Sequence, residues 1–368
     1  MCNTMLANAV RQFRKEDFPK FAEFVKKQFH EKYILSDEQF FEWQYRSNPS
    51  LDDYAFFLLE KNKEVYGYIG MVPLDYKMGD KTARLNMYAN LLVDERVRSL
   101  GLGTLLIKRA MEAGSPAAIS GYTPKSFPIY QKLGDWRALG NLYRYIYAFN
   151  PDAVKKLLPE NVPLSQAMLG LLRGHMPPRN DRSLSFEPIT TFDASFDEFW
   201  RRVRGRYAIT VERTGAYLNW RYANHPHLKY EMRVAQKDGH MVGYIIYRIE
   251  RVDDFSLARI VDFVGLEHTE SNILQTFISE VANKVDMVDF MASGQYYHES
   301  LKQLGFFNVY GTPFEYLPMY FNPVSYSKNY INFCAWQRDE SIDKDVFYNH
   351  NNWYLTRADG DQDRPNPH

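Results

Sequence analysis

The chain has 368 residues, with 45 Lys+Arg against 45 Asp+Glu and a formal net charge of zero. That balance removes the global electrostatic case for a nucleic-acid coat or an anionic-membrane binder, and the length suggests about two domains. With 45% hydrophobic and 16% aromatic residues, the chain reads as folded through its bulk. Only Cys2 and Cys334 are present, so neither a disulfide framework nor a thiolate zinc site can be assembled. No run approaches the roughly 18 apolar residues of a membrane span. The N-terminus lacks the apolar stretch of a signal peptide, and a soluble, cytoplasmic protein is expected.

In chain order, a helix is expected over residues 16–30, where Phe18, Phe21, Phe24, Val25 and Phe29 recur at helical spacing. A short helix carries Phe41-Glu-Trp43-Gln-Tyr45-Arg-Ser-Asn-Pro49. Strand-like runs at 54–60 and 65–69 flank the polar Lys61-Asn-Lys63, and 84–94 reads as a central strand. A helix over 103–113, a strand over 117–121, a short helix ending at Gly134 and an aromatic strand over 143–149 follow. Residues 151–190 read as a linker, with Pro159, Pro163, Pro177, Pro178 and Pro188 around a helix-like stretch at 167–172.

The series then repeats. Leu218-Asn-Trp220-Arg-Tyr222-Ala-Asn-His-Pro226 shares the frame Φ-x-W-x-Y-x-x-x-P, 177 residues later (220 − 43). Gly243 answers Gly67, and Leu301-Lys-Gln-Leu-Gly305 answers Tyr130-Gln-Lys-Leu-Gly134. Three landmarks in one order indicate two copies of one fold. Hairpins followed by βα units make each copy α/β, a mostly antiparallel mixed sheet with helices on both faces. The expected division is 1–150, a linker 151–190, a second copy 191–324 and a C-terminal extension 325–368. The closing Asp359-Gly-Asp361-Gln-Asp363-Arg-Pro reads as a frayed end. As a calcium loop it lacks the later glutamate.

The segment richest in chemistry is Leu91-Leu92-Val93-Asp-Glu-Arg-Val-Arg98-Ser99-Leu-Gly101-Leu102-Gly103-Thr104. A strand ends at Val93, a loop turns, and two glycines one residue apart open an amphipathic helix. Amides at such a helix start point outward, and the helix dipole favours an anion there. Gly101 and Gly103 let the backbone approach a diphosphate, Thr104 offers a hydroxyl, and Arg98 can hold the loop or touch phosphate. A dinucleotide fingerprint would need a third glycine where Leu106 stands, and a Walker loop would need Gly-Lys-Ser/Thr.

Arg98-x-x-Gly101-x-Gly103 after this strand resembles the coenzyme A signature, Q/R-x-x-G-x-G/A, of the GNAT acyltransferase superfamily. Ile129-Tyr130-Gln-Lys-Leu-Gly134 is similar to that family's F-Y-x-K-x-G-F segment, with Asp135-Trp136 where one aromatic usually follows the glycine. The chain as a whole resembles a tandem GNAT protein. The resemblance implies acetyl-CoA or another acyl-CoA as cosubstrate and no metal. It implies cofactor contacts from Leu91, Leu92, Val93, Arg98, Ser99, Gly101, Leu102, Gly103 and Thr104. Tyr130 is implied as the general acid for the departing thiolate. The acceptor is then an amine, an amino sugar or other small metabolite, with no nucleic-acid or membrane partner.

The second copy has Glu267 and Glu270 where a diphosphate would sit, so no CoA is expected there. The position where this family sometimes carries an acid falls at Ala89 or Asn90, and neither takes a proton. Tyr88, or Asp262 from the second copy, is the alternative through water, whereas Asp94 and Glu95 read as solvated. His30, His225, His240, His268 and His298 show no metal-ligand spacing, and Trp43 and Trp220 read as core. Two other functions stay open: a FemABX-like transfer from aminoacyl-tRNA, and a non-catalytic CoA-binding scaffold.

Overall fold

Runs of β-branched and aromatic residues pair into two large sheets. A computed structural model describes residues 9–172, 184–321, 324–325, 330–338 and 342–365; Cys2, Pro177 and Pro178 lie outside them. The first copy supplies β1 (Val10–Gln12), β2 (Phe56–Lys61), β3 (Glu64–Met78), β4 (Lys81–Val93), β5 (Ala117–Ser120), β6 (Arg137–Asn141) and β7 (Tyr143–Ala148). The second supplies β8 (Leu184–Ile189), β9 (Ile209–Val211), β10 (Glu231–Lys237), β11 (His240–Val252), β12 (Phe255–Gly265), β13 (Met287–Ala292) and β14 (Phe307–Asn308). Beyond these come the two-residue strands β15 (Tyr320–Phe321) and β16 (Val324–Ser325), then β17 (Asn332–Trp336) and β18 (Trp353–Tyr354).

The sheets exchange strands. The first runs β1-β2-β3-β4-β5-β17-β6, with β9 added to β3 and β18 to β9; the second runs β14-β7-β13-β12-β11-β10-β8. Thus β7, from the first copy, lies between β13 and β14, and β17, from the C-terminal region, lies between β5 and β6. Expected boundaries at 150 and 324 cut across this exchange, and β8, inside the expected linker 151–190, pairs with β10 as part of the second sheet. The physical reason is local: Leu142 alone separates β6 from β7, too short a link for even a two-residue hairpin. The chain therefore runs on, extended, into the other sheet.

The expected opening helices are present as Phe18–Gln28 and Ala194–Val203, each burying its aromatic face. Trp43 and Trp220 do more than fill core. Their rings stack at 5.2 Å and 18°, Trp43 Nε1 donates to Trp220 O at 2.8 Å, and Trp220 Nε1 donates to Trp43 O at 2.9 Å. This reciprocal clasp sits where the copies meet, and one hydrophobic core spans both, from Phe21 and Phe56 to Tyr244 and Phe263. A second core, on the other face of the first sheet, holds Leu106, Ile107, Tyr130, Trp136 and Trp336. No described helix is long and apolar enough to cross a membrane.

The C-terminal residues are a correction to the sequence reading. Asp359 and Asp363 are buried, not frayed. Asp359 accepts from Arg213 at 2.7 Å and from Tyr217 OH at 2.8 Å. Asp363 accepts from Arg248 at 2.9 Å and from Tyr230 OH at 2.8 Å, and the surrounding guanidinium groups hold its carboxyl far below the usual range against the cost of burial. Buried carboxylates persist only when paired in this way.

Candidate active site

The parallel strands β4 and β5 pair from Asn86↔Ala117 to Tyr88↔Ile119 and then part. On its other side β4 slips register against β3, so that Asn90 and Leu91 bulge and Asn90 takes φ 58°. A bulge frees backbone groups and re-aims side chains. This one is pinned: Asn90 Nδ2 donates to Tyr45 OH at 2.6 Å, and Arg364 Nη1 donates to Asn90 Oδ1 at 2.8 Å. The parting strands enclose a cavity of about 250 Å³ whose walls include Tyr88, Leu91, Ser120, Tyr122, Tyr130 and Asp361. Tyr88 OH and Ser120 Oγ are buried there with no hydrogen-bond partner among the described residues. Orphaned buried donors of this kind call for a polar occupant.

Beyond β4 the chain forms the expected turn. Asp94 is not solvated, as the sequence suggested, but buried. It caps the short helix Glu95–Arg98 by accepting from Arg96 N at 2.9 Å, and the Arg96 guanidinium holds its carboxyl below the usual range. Arg98 Nη2 donates to Val93 O at 3.2 Å, so this side chain braces the loop. Gly101 is left-handed (φ 72°, ψ 15°), and the helix Leu102–Ala113 starts after it. A Cβ at Gly101 would meet nothing within 4 Å, and one at Gly103 only Val93 Cγ2 at 3.4 Å. Thr104 N bonds back to Gly101 O at 3.0 Å, and the first-turn amides of Leu102 and Gly103 have no acceptor within the helix. Ser99 is exposed beside them, while the Leu102 side chain is buried as the helix's anchor. Among the described residues, nothing crowds either glycine.

Tyr130, on the helix Phe127–Leu133, is buried on the cavity wall, edge-on to Trp136 at 5.1 Å. Burial pushes its phenol well up, so it carries its proton. The departure Asp135-Trp136 now has an account. Asp135 turns outward to Arg137 at 2.6 Å, and Trp136 fills the aromatic place, stacked on Trp336 of β17.

Neither expected base survives. Asp262 lies in the core of the second copy, where its two oxygens accept from Arg213 Nε at 3.0 and 3.1 Å and one also accepts from Tyr222 OH at 3.1 Å. Burial pushes it up, Arg213 opposes, and it does not line the cavity. Tyr88 does line it, but burial drives its phenol well above the ordinary value, away from a base's range. Sequence reasoning missed the wall contributed by Asp361, Gln362 and Arg364; Gln362 Nε2 donates to Ser120 O at 3.1 Å. A signal existed in the second copy: Arg248 falls in its central strand β11, and a largely buried arginine there must find a carboxylate, which is Asp363.

The corresponding places in the second copy are filled. Where the helix Glu270–Val281 starts, Arg206 bonds both Gly265 O and the Glu270 carboxylate. Where β12 and β13 part, the C-terminal segment enters: Thr356 bridges to Ala292, Ser293 N donates to Leu355 O at 2.8 Å, and Tyr354 OH donates to Phe263 O.

Splayed parallel strands, a glycine-opened helix and a buried tyrosine on the cavity wall belong to a fold also seen elsewhere. Two solved structures share it. A GCN5-related N-acetyltransferase from Anabaena variabilis aligns at TM-score 0.53 and 15% identity over 89% of this chain and 71% of its own. A GCN5-related N-acetyltransferase from Kribbella flavida aligns at TM-score 0.53 and 13% identity over 76% of this chain and 62% of its own. No curated protein matches the sequence. Residues 8–123, within the first copy, match the Acetyltransferase (GNAT) family.

Proposed function

We propose that the first copy transfers an acetyl group from acetyl-CoA to the amine of a small molecule, an amino sugar or similar metabolite. The observation that carries this reading is the uncrowded glycine turn at the end of β4, one strand end away from a cavity with orphaned buried donors. The amides of Leu102 and Gly103, with Ser99 and Thr104 beside them, would hold the diphosphate. Leu91 and Leu92 would lend backbone to the pantetheine arm as an added strand does; Val93 lends less, because Arg98 holds its carbonyl. When bound, the cosubstrate supplies an activated acyl carbon.

The chain's own residues then move a proton. Tyr88 and Tyr130 are buried on the cavity wall, with Trp136 packed against Tyr130. That burial disfavours a phenolate at Tyr130, but it disfavours a thiolate there as well. Nearby Cys334 shows the effect, since burial pushes its thiol well up. Proton transfer from Tyr130 Oη to sulfur is thus between groups penalised alike.

Calorimetry tests the reading. One acetyl-CoA should bind per chain, and Gly103→Trp should abolish binding without unfolding the protein. Tyr130→Phe should keep that affinity while kcat falls about 100-fold, the lower range for a lost general acid. A wild-type protein that binds no acetyl-CoA overturns the proposal.

A further inference from the structure

We infer that the C-terminal segment of the second copy completes the active site of the first, and that Asp361 receives the acceptor's ammonium group and takes its proton. The inference rests on the transfer activity proposed above and names the residue and substrate charge that activity needs. Among the described residues lining the cavity, Asp361 is the only carboxylate. Its side chain is 9% exposed. Oδ1 accepts from Gln362 Nε2 at 2.6 Å, and Oδ2 stands 3.9 Å from Arg364 Nη1. The neighbouring aspartates are committed: Asp359 to Arg213 and Asp363 to Arg248.

The segment is built to hold that carboxylate in place. Arg221, from the repeated Trp220-Arg-Tyr222 motif, donates to Ala358 O at 2.6 Å and to Asp363 O at 3.0 Å, clamping the backbone on both sides of Asp361. Between those clamps the chain crosses Ser120 so closely that a Cβ at Gly360 would lie 2.5 Å from Ser120 Oγ. Arg364 ties the far end to Asn90, the bulged position of β4 that itself lacks an acid.

The proton accounting closes. Asp361 takes one proton from R–NH3+, which frees the nitrogen lone pair. As the C–N bond forms and the C–S bond breaks, Tyr130 gives its proton to sulfur, and the second N–H proton restores Tyr130 through solvent. Asp361 returns its proton to water, so one ammonium and one thioester yield one amide, one thiol and one proton.

The test uses the full chain and a panel of methylamine, glucosamine, lysine methyl ester and putrescine. Saturation-transfer NMR without cosubstrate should show binding of at least one amine, weakened about tenfold or more in Asp361→Asn, as for a lost charged hydrogen bond. Thiol release should fall about 100-fold or more, acetyl-CoA affinity should hold within twofold by calorimetry, and added formate should restore part of the turnover of Asp361→Ala. An Asp361→Asn protein that binds amines and turns over like wild type, or a wild type that binds no amine, overturns the assignment. Normal acetyl-CoA binding with an indifferent Asp361→Asn removes Asp361 alone, whereas a failure of acetyl-CoA to bind removes the transfer reading itself.

Discussion

The two copies present the same architecture with opposite occupancy. At the helix start of the first stand a left-handed glycine and a second glycine, neither crowded by the described residues. At the helix start of the second, Arg206 and Glu270 neutralise each other on the spot where an anion would sit. The first copy's parted strands enclose a cavity, and the second copy's parted strands hold Tyr354 to Thr356. Function on this fold is therefore a matter of what is left unfilled. In the second copy the same places are taken by Arg206 and by the C-terminal segment.

The filled side gives way at its ions. Arg213 serves two buried carboxylates, Asp262 and Asp359, so Arg213→Met strands both and should cost about 3–5 kcal/mol in a denaturant melt. A loss under 1 kcal/mol would show that the second cleft is not held by these charges. The next largest effect is set by pH. Asn48 in the first copy accepts from Ser50 N at 2.9 Å, whereas His225, its counterpart, accepts from the amides of His227 and Leu228 at 3.2 and 3.0 Å.

Burial pushes His225 down to about 2. Because the folded state then binds fewer protons than the unfolded one, stability is complete above the ordinary value of 6.5 and is lost as pH falls below it. The slope is about 1.4 kcal/mol per pH unit, or about 2 kcal/mol by pH 5. His225→Asn, which copies the first half, should flatten that profile in melts between pH 7 and 5. An unchanged slope would place the acid sensitivity elsewhere.

The clasp offers a test of the symmetry itself. Trp43→Phe and Trp220→Phe each leave a buried carbonyl without its indole donor and should each cost about 1–2 kcal/mol; markedly unequal costs would mean that the copies do not share the joint evenly. Smallest is Gly101→Ala, about 1 kcal/mol by thermal melt, because a Cβ is strained at φ 72° though nothing crowds it. A larger loss would mean that the turn is packed after all.

What the sequence made legible is what lies close along the chain. The repeat was visible through Trp43 and Trp220, because both indoles meet the same requirement at the joint. The glycine turn was visible because backbone freedom and the helix start are local properties. The exchange of β7 and β17 was not, since strand pairing between residues so far apart in the chain, such as Phe333 with Ser120 and Met287 with Ala148, leaves no local pattern. Asp361 was missed for a related reason. Alternating aspartates beside glycine and proline match the composition of a loose end, and only arginines at 213, 221 and 248 turn them inward. The acidic wall of the site was encoded far from the strand where an acid was sought.

The crossing of β7 and β17 carries a consequence for separating the halves. Neither half can be cut out as an independent folding unit, since each would keep an empty slot in its sheet and an orphaned strand of its own. The first sheet also takes β9 onto β3 and β18 onto β9, so three of its strands come from beyond the first half.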